Sequence, residues 1–336
     1  MPKKTYREAI NEALDQEMAR DERIVLIGED IAGGTGASGV RDAWGGVMGV
    51  TKGLIGKYGA ERVLDTPISE LALIGASAGA AATGLRPVAE LMFNDFLGVC
   101  LDQLMNQAAK FRYMFGGRVS TPLVVRTQYG AGLRAAAQHS QTLYSIFAHI
   151  PGLKVVAPSN PYDAKGLLMA AIRDDDPVIF MEHKAMYDDI GEVPDEAYAI
   201  PFGEGRVLQE GEDVTIIAFG RMVQVAQKAI HVVQGEGVRC SLVDPRTISP
   251  LDEGLILEMS AETGRVVIVD EANPRCGVAA DVASIICEKA FGDLRAPILK
   301  VTAPHTPVPF APILEDAYLP SVDRIAAAIR QVRAYG

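Results

Sequence analysis

The sequence predicts an α/β protein of two domains, each built on a mostly parallel sheet. Two observations carry this expectation. Short β-branched apolar runs alternate with helical patterns along the whole chain, as at residues 23–28, 122–126, 214–220 and 266–270. Residues 184–204 then break the alternation: they are acidic, carry Tyr187, Pro194, Tyr198 and Pro201, and show no clear period. They read as a linker between a domain of residues 1–183 and one of residues 205–336, and 336 residues suffice for two cores.

In order, residues 5–8 (Thr-Tyr-Arg-Glu) form a capping-box pattern ahead of a helix whose face is Ala9, Ile10, Ala13, Leu14 and Met18. Residues 23–28 read as a buried strand with Glu29 and Asp30 at its carboxyl end, where open α/β sheets place ligands. Gly33, Gly34, Gly36, Gly39, Gly45, Gly46 and Gly49 mark a ligand-facing or flexible loop, which lacks the context of a dinucleotide or P-loop motif. A short helix over 51–58 leads to a strand over 62–65. Beyond residue 84 the pattern predicts a strand and its exit over 87–96, a helix over 97–113, and strands over 122–126 and 153–157. A helix over 161–172 ends at Asp174-Asp175-Asp176-Pro177, before a strand from 178. Three adjacent acids read by default as a solvated turn. An ion held there would use helix-end carbonyls, which suits a hard monovalent or alkaline-earth cation. The second domain repeats the alternation, with strands near 214–220, 238–243, 266–270 and 298–302 and a last helix over 321–333.

Composition narrows the function classes. Hydrophobic residues make up 49% and charged residues 22%, as in soluble globular proteins, and no apolar run reaches membrane-spanning length. The first residues lack the apolar core of a signal peptide. The net charge, 32 − 43 = −11, argues against nucleic acid and anionic membranes as partners. Cys100, Cys240, Cys276 and Cys287 have no paired spacing, so reduced, mostly buried thiols in the cytoplasm are expected.

Two stretches carry candidate chemistry. Asp65-Thr-Pro-Ile-Ser-Glu70 places Glu70 in the first turn of a helix, where an acid suits the dipole. Gly75, Gly79 and Gly84 follow, and glycine in a helix costs about 1 kcal/mol against alanine. Such a cost fits the close approach of another backbone or a ligand. From these residues alone, an ordinary capped helix is an equal reading. The second stretch is Gln128 to Gln141, whose small residues leave His139 among Gln138, Ser140 and Gln141, a setting suited to proton transfer.

The motifs just quoted, with Gly84-Leu-Arg-Pro87, Ala137-Gln-His-Ser-Gln141, Asp163-Ala-Lys-Gly166, Ala171-Ile-Arg-Asp174, Asp244-Pro-Arg-Thr-Ile-Ser-Pro250 and Val308-Pro-Phe310, resemble the β subunits of thiamine-diphosphate-dependent 2-oxo acid dehydrogenases along the whole chain. Residues 42–53 (Asp-Ala-Trp-Gly-Gly-Val-Met-Gly-Val-Thr-Lys-Gly), residues 130–139 and Glu182-His-Lys184 are most similar to the acetoin dehydrogenase branch.

The resemblance implies a pyrimidine-binding domain followed by a transketolase-type C-terminal domain. It also implies an α subunit in an α2β2 assembly, and a lipoyl-bearing acyltransferase core that receives the acetyl unit after acetoin is cleaved and acetaldehyde leaves. Thiamine diphosphate would be shared with the α subunit. Mg2+ would be held mainly there, since the Gly-Asp-Gly…Asn motif for magnesium and diphosphate is missing and Gly292-Asp293-Leu294 fails at its third position. Glu70 matches the acid that engages the pyrimidine ring, Phe96 the aromatic against that ring, and His139 the histidine facing the incoming lipoyl group. Glu29 is carried as a cofactor-side acid on a path between paired sites. Leu123, Ala171, Ile172, Asp174 and Asp176 match a structural K+ site made largely of backbone carbonyls. Pyruvate or a branched-chain 2-oxo acid is the alternative substrate, to which Thr127-Gln128 and His183-Lys184 are departures. A nicotinamide oxidoreductase would need a GxGxxG turn after a strand, which no predicted strand offers, and a scaffold subunit would not need Glu70 and His139.

Overall fold

The computed structural model of the chain describes residues 1–33 and 44–335; Gly34, Gly36, Gly39, Asp42 and Ala43 of the segments discussed above lie outside the described residues. The chain divides into two compact units, Met1–Tyr129 with Ile146–Phe202, and Gly130–Ser145 with Gly203–Gly336.

Between residues 3 and 192 the elements are β1 (Lys3–Thr5), α1 (Tyr6–Arg20), β2 (Ile24–Gly28), α2 (Leu54–Tyr58), β3 (Val63–Asp65), α3 (Glu70–Ala82), β4 (Arg86–Leu91), α4 (Phe111–Met114), β5 (Val124–Tyr129), α5 (Tyr144–Ala148), β6 (Lys154–Val156), α6 (Pro161–Arg173), β7 (Val178–His183) and β8 (Ile190–Glu192). Strands of the first unit run β6-β7-β5-β4-β2-β3, all parallel. Parallel strands are covered on both faces, which explains the apolar runs of β2 and of the first halves of β5 and β7. Helices α1 and α6 lay Ile10, Leu14, Leu167 and Leu168 on β2 and β7 in one core. The capping box forms: the Glu8 N–H donates to Thr5 Oγ1 at 3.2 Å and the Thr5 N–H to Glu8 at 2.7 Å. Asn160 caps α6 by accepting the Asp163 N–H at 2.9 Å, with Pro161 at the first helical position.

In the second unit, β9 (Arg206–Gln209), β10 (Val214–Ala218), α7 (Met222–Gln234), β11 (Cys240–Asp244), β12 (Thr247–Ser249), α8 (Glu253–Thr263), β13 (Val266–Asp270), α9 (Val278–Lys289), β14 (Leu299–Thr302), α10 (Pro312–Tyr318) and α11 (Val322–Arg333) follow. Its sheet has the order β14-β13-β10-β11-β9, parallel except for β9. Helices α7 and α11 pack Met222, Ile230, Ile325 and Ile329 against Val214, Ile216 and Val267.

Three sequence expectations change. The helix over 97–113 is broken into a 3₁₀ turn at Asn94–Gly98, a π turn at Gln103–Ala108 and the single α-turn α4. Residues 184–202 group with the first unit, where β8 pairs with β1 in an antiparallel ribbon. The thiols split evenly: Cys100 and Cys240 are buried, Cys276 and Cys287 exposed. No helix among the described residues is long and apolar enough to cross a membrane.

Candidate active site

Strand register brings the first group together. Gly28 stands level with Asp65 on one side and Glu90 on the other, so the carboxyl ends of β2, β3 and β4 finish at one height. A side chain at residue 28 would meet the Glu90 carbonyl at 2.9 Å, so this close strand approach needs glycine. The Asp65 carboxylate accepts the Ala32 N–H at 2.7 Å and ties the turn after β2 to the end of β3.

Helix α3 begins at Glu70 with Ser69 as its N-cap, yet the Ser69 hydroxyl makes no capping bond. Glu29 stands close to the Ser69 backbone and within electrostatic reach of Glu70. Two acids from different elements thus share one helix N-terminus, where free N–H groups and the dipole favour negative charge. Burial, the charge of Glu70 and that of Asp30 together raise the Glu29 pKa above its ordinary value. Glu70 is half-buried and, among the described residues, accepts no hydrogen bond and joins no ion pair. Phe96, on the turn after β4, is half-buried, and its carbonyl faces the Cys100 thiol. Burial, then the charge of Glu70, pushes that thiol up to about 12, which puts Cys100 within electrostatic reach of Glu70. The structure therefore gathers Glu29, Glu70 and the turn bearing Phe96 around the start of α3.

One face of α3 packs inward through Leu73, Ile74, Ser77, Ala78 and Ala81. The other presents Ala72, Ala76, Gly79 and Thr83 to solvent. A Cβ at Gly79 would meet nothing within 4 Å, whereas one at Gly75 would stand 3.2 Å from Gln103 Oε1.

A buried charge cluster lies on the adjacent strands. The Arg126 guanidinium makes a two-bond fork to Glu182, at 2.6 and 2.8 Å, and donates to Glu90 at 2.7 Å. The Tyr187 hydroxyl donates to Glu182 at 2.6 Å. With two carboxylates on one guanidinium, burial holds the Glu90 pKa above its ordinary value against the pull of Arg126.

His139 belongs to the second unit with the whole segment Gly130–Ser145. It is half-buried, in a loop closed by the Gly130 N–H donating to the Gln141 carbonyl at 3.1 Å. Three buried acids of the second unit hold this segment. Glu271 accepts the Ala131 N–H at 2.6 Å. Glu315 accepts the N–H groups of Gly132 and Arg134 at 2.8 and 3.2 Å and pairs with the Arg134 guanidinium. Asp270 takes the hydroxyl of Tyr144.

The Asp174–Asp176 turn is matched cation by cation. Lys154 holds Asp174 at 2.6 Å, Arg86 holds Asp175 at 3.0 Å, and Arg112 holds Asp176. Arg86 also donates to the carbonyls of Ile172 and Asp174, at 2.9 and 2.5 Å, so those oxygens converge on one guanidinium. The Leu123 carbonyl accepts the Val178 N–H at 2.9 Å and the Ala171 carbonyl the Asp174 N–H at 3.3 Å. Among the described residues no group of three or more His, Cys, Asp or Glu is placed to hold a metal ion.

Comparison with known proteins then fixes the family. Residues 2–189 match the transketolase pyrimidine binding domain and residues 203–325 the transketolase C-terminal domain. The chain is 60% identical over 328 residues to the β subunit of acetoin:2,6-dichlorophenolindophenol oxidoreductase from Cupriavidus necator, covering 98% of this chain and 97% of that one. The Bacillus subtilis protein of the same name is 56% identical, covering 95% and 94%. The chain belongs to the β-subunit family of acetoin and 2-oxo acid dehydrogenases. Within that family the 2-oxoisovalerate dehydrogenase subunit beta of Bacillus subtilis is 42% identical over 333 residues, covering 98% and 99%. A solved structure titled split gene transketolase, inactive beta4 tetramer, shares the fold at TM-score 0.78 and 23% identity, covering 98% of each chain.

For this β-subunit chain, sequence reasoning passed over two sets of residues. Glu90 fell inside a predicted strand and its exit, Arg126 at the end of another, and Glu182 in a segment used only for the resemblance. Their signal was one charge on each of three neighbouring strands, with Glu90 level with Arg126 and Glu182 two positions further along, level with Gln128. Glu271 and Glu315 gave no local signal, because what they bind lies 140 and 183 residues away in sequence.

Proposed function

We propose that this chain is the β half of a thiamine-diphosphate-dependent component, active only with an α subunit, that cleaves acetoin and passes the acetyl unit to a lipoyl domain of an acyltransferase core. The observation that carries the proposal is the pairing of near-full-length similarity to acetoin:2,6-dichlorophenolindophenol oxidoreductase β subunits with a helix-start acid, Glu70, that has no partner of its own. The chemistry that bound thiamine diphosphate supplies is the breaking of a carbon–carbon bond beside a carbonyl, which side chains do not provide.

The residues present fit the pyrimidine end of that cofactor. Glu70 offers a free carboxylate to hydrogen-bond a ring nitrogen and to hold or release a proton there. Phe96 offers a half-buried ring face, and Glu29 keeps the helix start acidic. His139 is assigned to hold or move a proton as the acetyl unit reaches the lipoyl group. The exposed small face of α3 suits close packing by the α subunit in an α2β2 assembly. Mg2+ and the diphosphate fall to that subunit, since this sequence lacks their motif.

K+ at the Asp174–Asp176 turn is also part of the proposal. The carbonyls there form a hard-oxygen set, and each keeps a second lone pair beyond the N–H it already accepts. Arg86, Lys154 and Arg112 satisfy the carboxylates, so a cation would rely on carbonyls alone. A cytoplasmic setting is supported by two exposed free thiols, Cys276 and Cys287.

The test is to produce the chain with its α subunit and compare acetoin with pyruvate as electron source for dye reduction. Acetoin-driven reduction that falls by about 10²-fold or more in Glu70→Gln is expected. Undiminished activity in that variant would sink the role of Glu70. Reduction with pyruvate or a branched-chain 2-oxo acid, and none with acetoin, would instead favour the 2-oxo acid reading that the 42% relative supports.

A further inference from the structure

We propose that Glu315 is a positioning residue for His139, holding the loop that presents it; the inference rests on the role given to His139 above. Glu315 lies on the short helix α10 and is fully buried. Among the described residues every hydrogen bond its carboxylate accepts comes from the His139 segment: the N–H groups of Gly132 and Arg134 and the Arg134 guanidinium. Burying a carboxylate is costly unless it is fully paired. Here its desolvation is offset by this one loop and by nothing in its own helix.

The neighbouring contacts show what is being held. Ala131 is sealed in an apolar cluster with Ala303, Val308 and Tyr318, and its N–H is taken by Glu271. The segment is therefore fixed from residue 131 to residue 134 and closed again at Gln141. Between those points Arg134 and Ala136 take left-handed backbone angles, φ 59° and 60°, which non-glycine residues avoid unless their surroundings impose them. His139 hangs three residues beyond Ala136. Releasing the Glu315 carboxylate removes what imposes those angles, so the loop relaxes and the imidazole loses its set direction. Glu315 touches no reacting atom in this scheme; it acts through the backbone of residues 132–134.

The test uses the enzyme assembled with its α subunit, in wild type and in Glu315→Gln, Arg134→Met and His139→Ala. Glu315→Gln keeps one acceptor but loses the charge and sets an amide N–H against a donor. Arg134→Met removes the guanidinium from the half-exposed loop side, so it answers the question even where a change at the buried position prevents folding. Two quantities are read: amide hydrogen exchange across residues 131–141, and the ratio of acetoin-driven acetylation of a lipoyl domain to acetoin-driven dye reduction. Losing charge-assisted bonds should speed exchange at 132–134 by about tenfold or more. The same variants should lower the acetylation-to-dye ratio in the direction of His139→Ala, with KM for acetoin unchanged. Unchanged exchange overturns the proposal, and so does faster exchange with an unchanged ratio. A wild-type ratio in His139→Ala would remove the role of His139 itself, a result distinguishable from both.

Discussion

Glu29, in the turn after β2, stands within electrostatic reach of Glu70, the residue that opens α3. Burial and the charge of Glu70 raise its pKa, so the folded state disfavours its ionised form. Glu29→Gln removes the like charge and should stabilise the chain at about pH 7, with the gain fading as pH falls and the wild-type acid takes up its proton. Urea unfolding of the two proteins across that range checks the sign. Equal stabilities at about pH 7 would mean that the two acids do not oppose each other.

Gly79 offers a change with opposite signs in the isolated chain and in the assembly. No atom lies within 4 Å of a Cβ added there, so Gly79→Leu should leave the isolated chain folded and gain up to about 1 kcal/mol of helix propensity. The same side chain stands on the small face proposed for the α subunit. Sedimentation of mixed subunits should then show weakened assembly; full assembly by this variant would move the α subunit to another face.

Arg126 neutralises Glu182 and Glu90 in the interior of the first unit. Arg126→Met leaves two buried carboxylates without a cation and should destabilise that unit by about 3–5 kcal/mol. Adding Glu90→Gln and Glu182→Gln should return most of the loss. A single variant as stable as wild type in denaturant melts would show that the cluster does not hold the sheet.

Asp270 sets a pH dependence. Burial pushes its carboxyl up to about 6, against hydrogen bonds from Tyr144 and from the Ala272 and Ala279 N–H groups, where the unfolded chain titrates near 3.8. The folded state therefore binds this proton more tightly than the unfolded state. The resulting stabilisation is complete below the unfolded pKa and is lost as pH climbs through the folded one. A shift of about two units is worth about 3 kcal/mol. Asp270→Asn, a mimic of the protonated form, should flatten this decline, read as denaturation midpoints from about pH 4 to about pH 7. Parallel curves for variant and wild type would show that Asp270 does not set the dependence.

How much of this was legible in the sequence depended on range. Strands β2, β10 and β13 announced themselves because parallel strands buried on both faces are mostly apolar, and β5 did so through Leu123, Val124 and Val125 ahead of its polar end. The capping box at Thr5 and Glu8 was readable because its two bonds span three residues. Edge strand β9 was not, since its half-buried residues carry no alternation. Nor was the broken helix after Phe96, where Gln103 must lie against Gly75 and the turn widens into a π turn. Apolar periodicity does not encode which carbonyl closes a turn. At the site, the neighbours of Glu70 were partly readable, Glu29 from its strand end and Phe96 through resemblance. The anchoring of His139 by Glu271 and Glu315 was not, because no local pattern encodes a bond across 140 or 183 residues.

That last bond has a consequence during synthesis. The chain leaves the ribosome from its amino end at roughly 5–20 residues per second. Gly132 therefore emerges more than half a chain ahead of the acid that will hold it. Through that interval the strands on either side of the segment can pair and bury their cores, while the His139 loop still lacks the Glu315 carboxylate. Its final geometry is among the last features of the protein to be set, so newly made chains pass through a stage that is folded in much of its sheet and not yet competent.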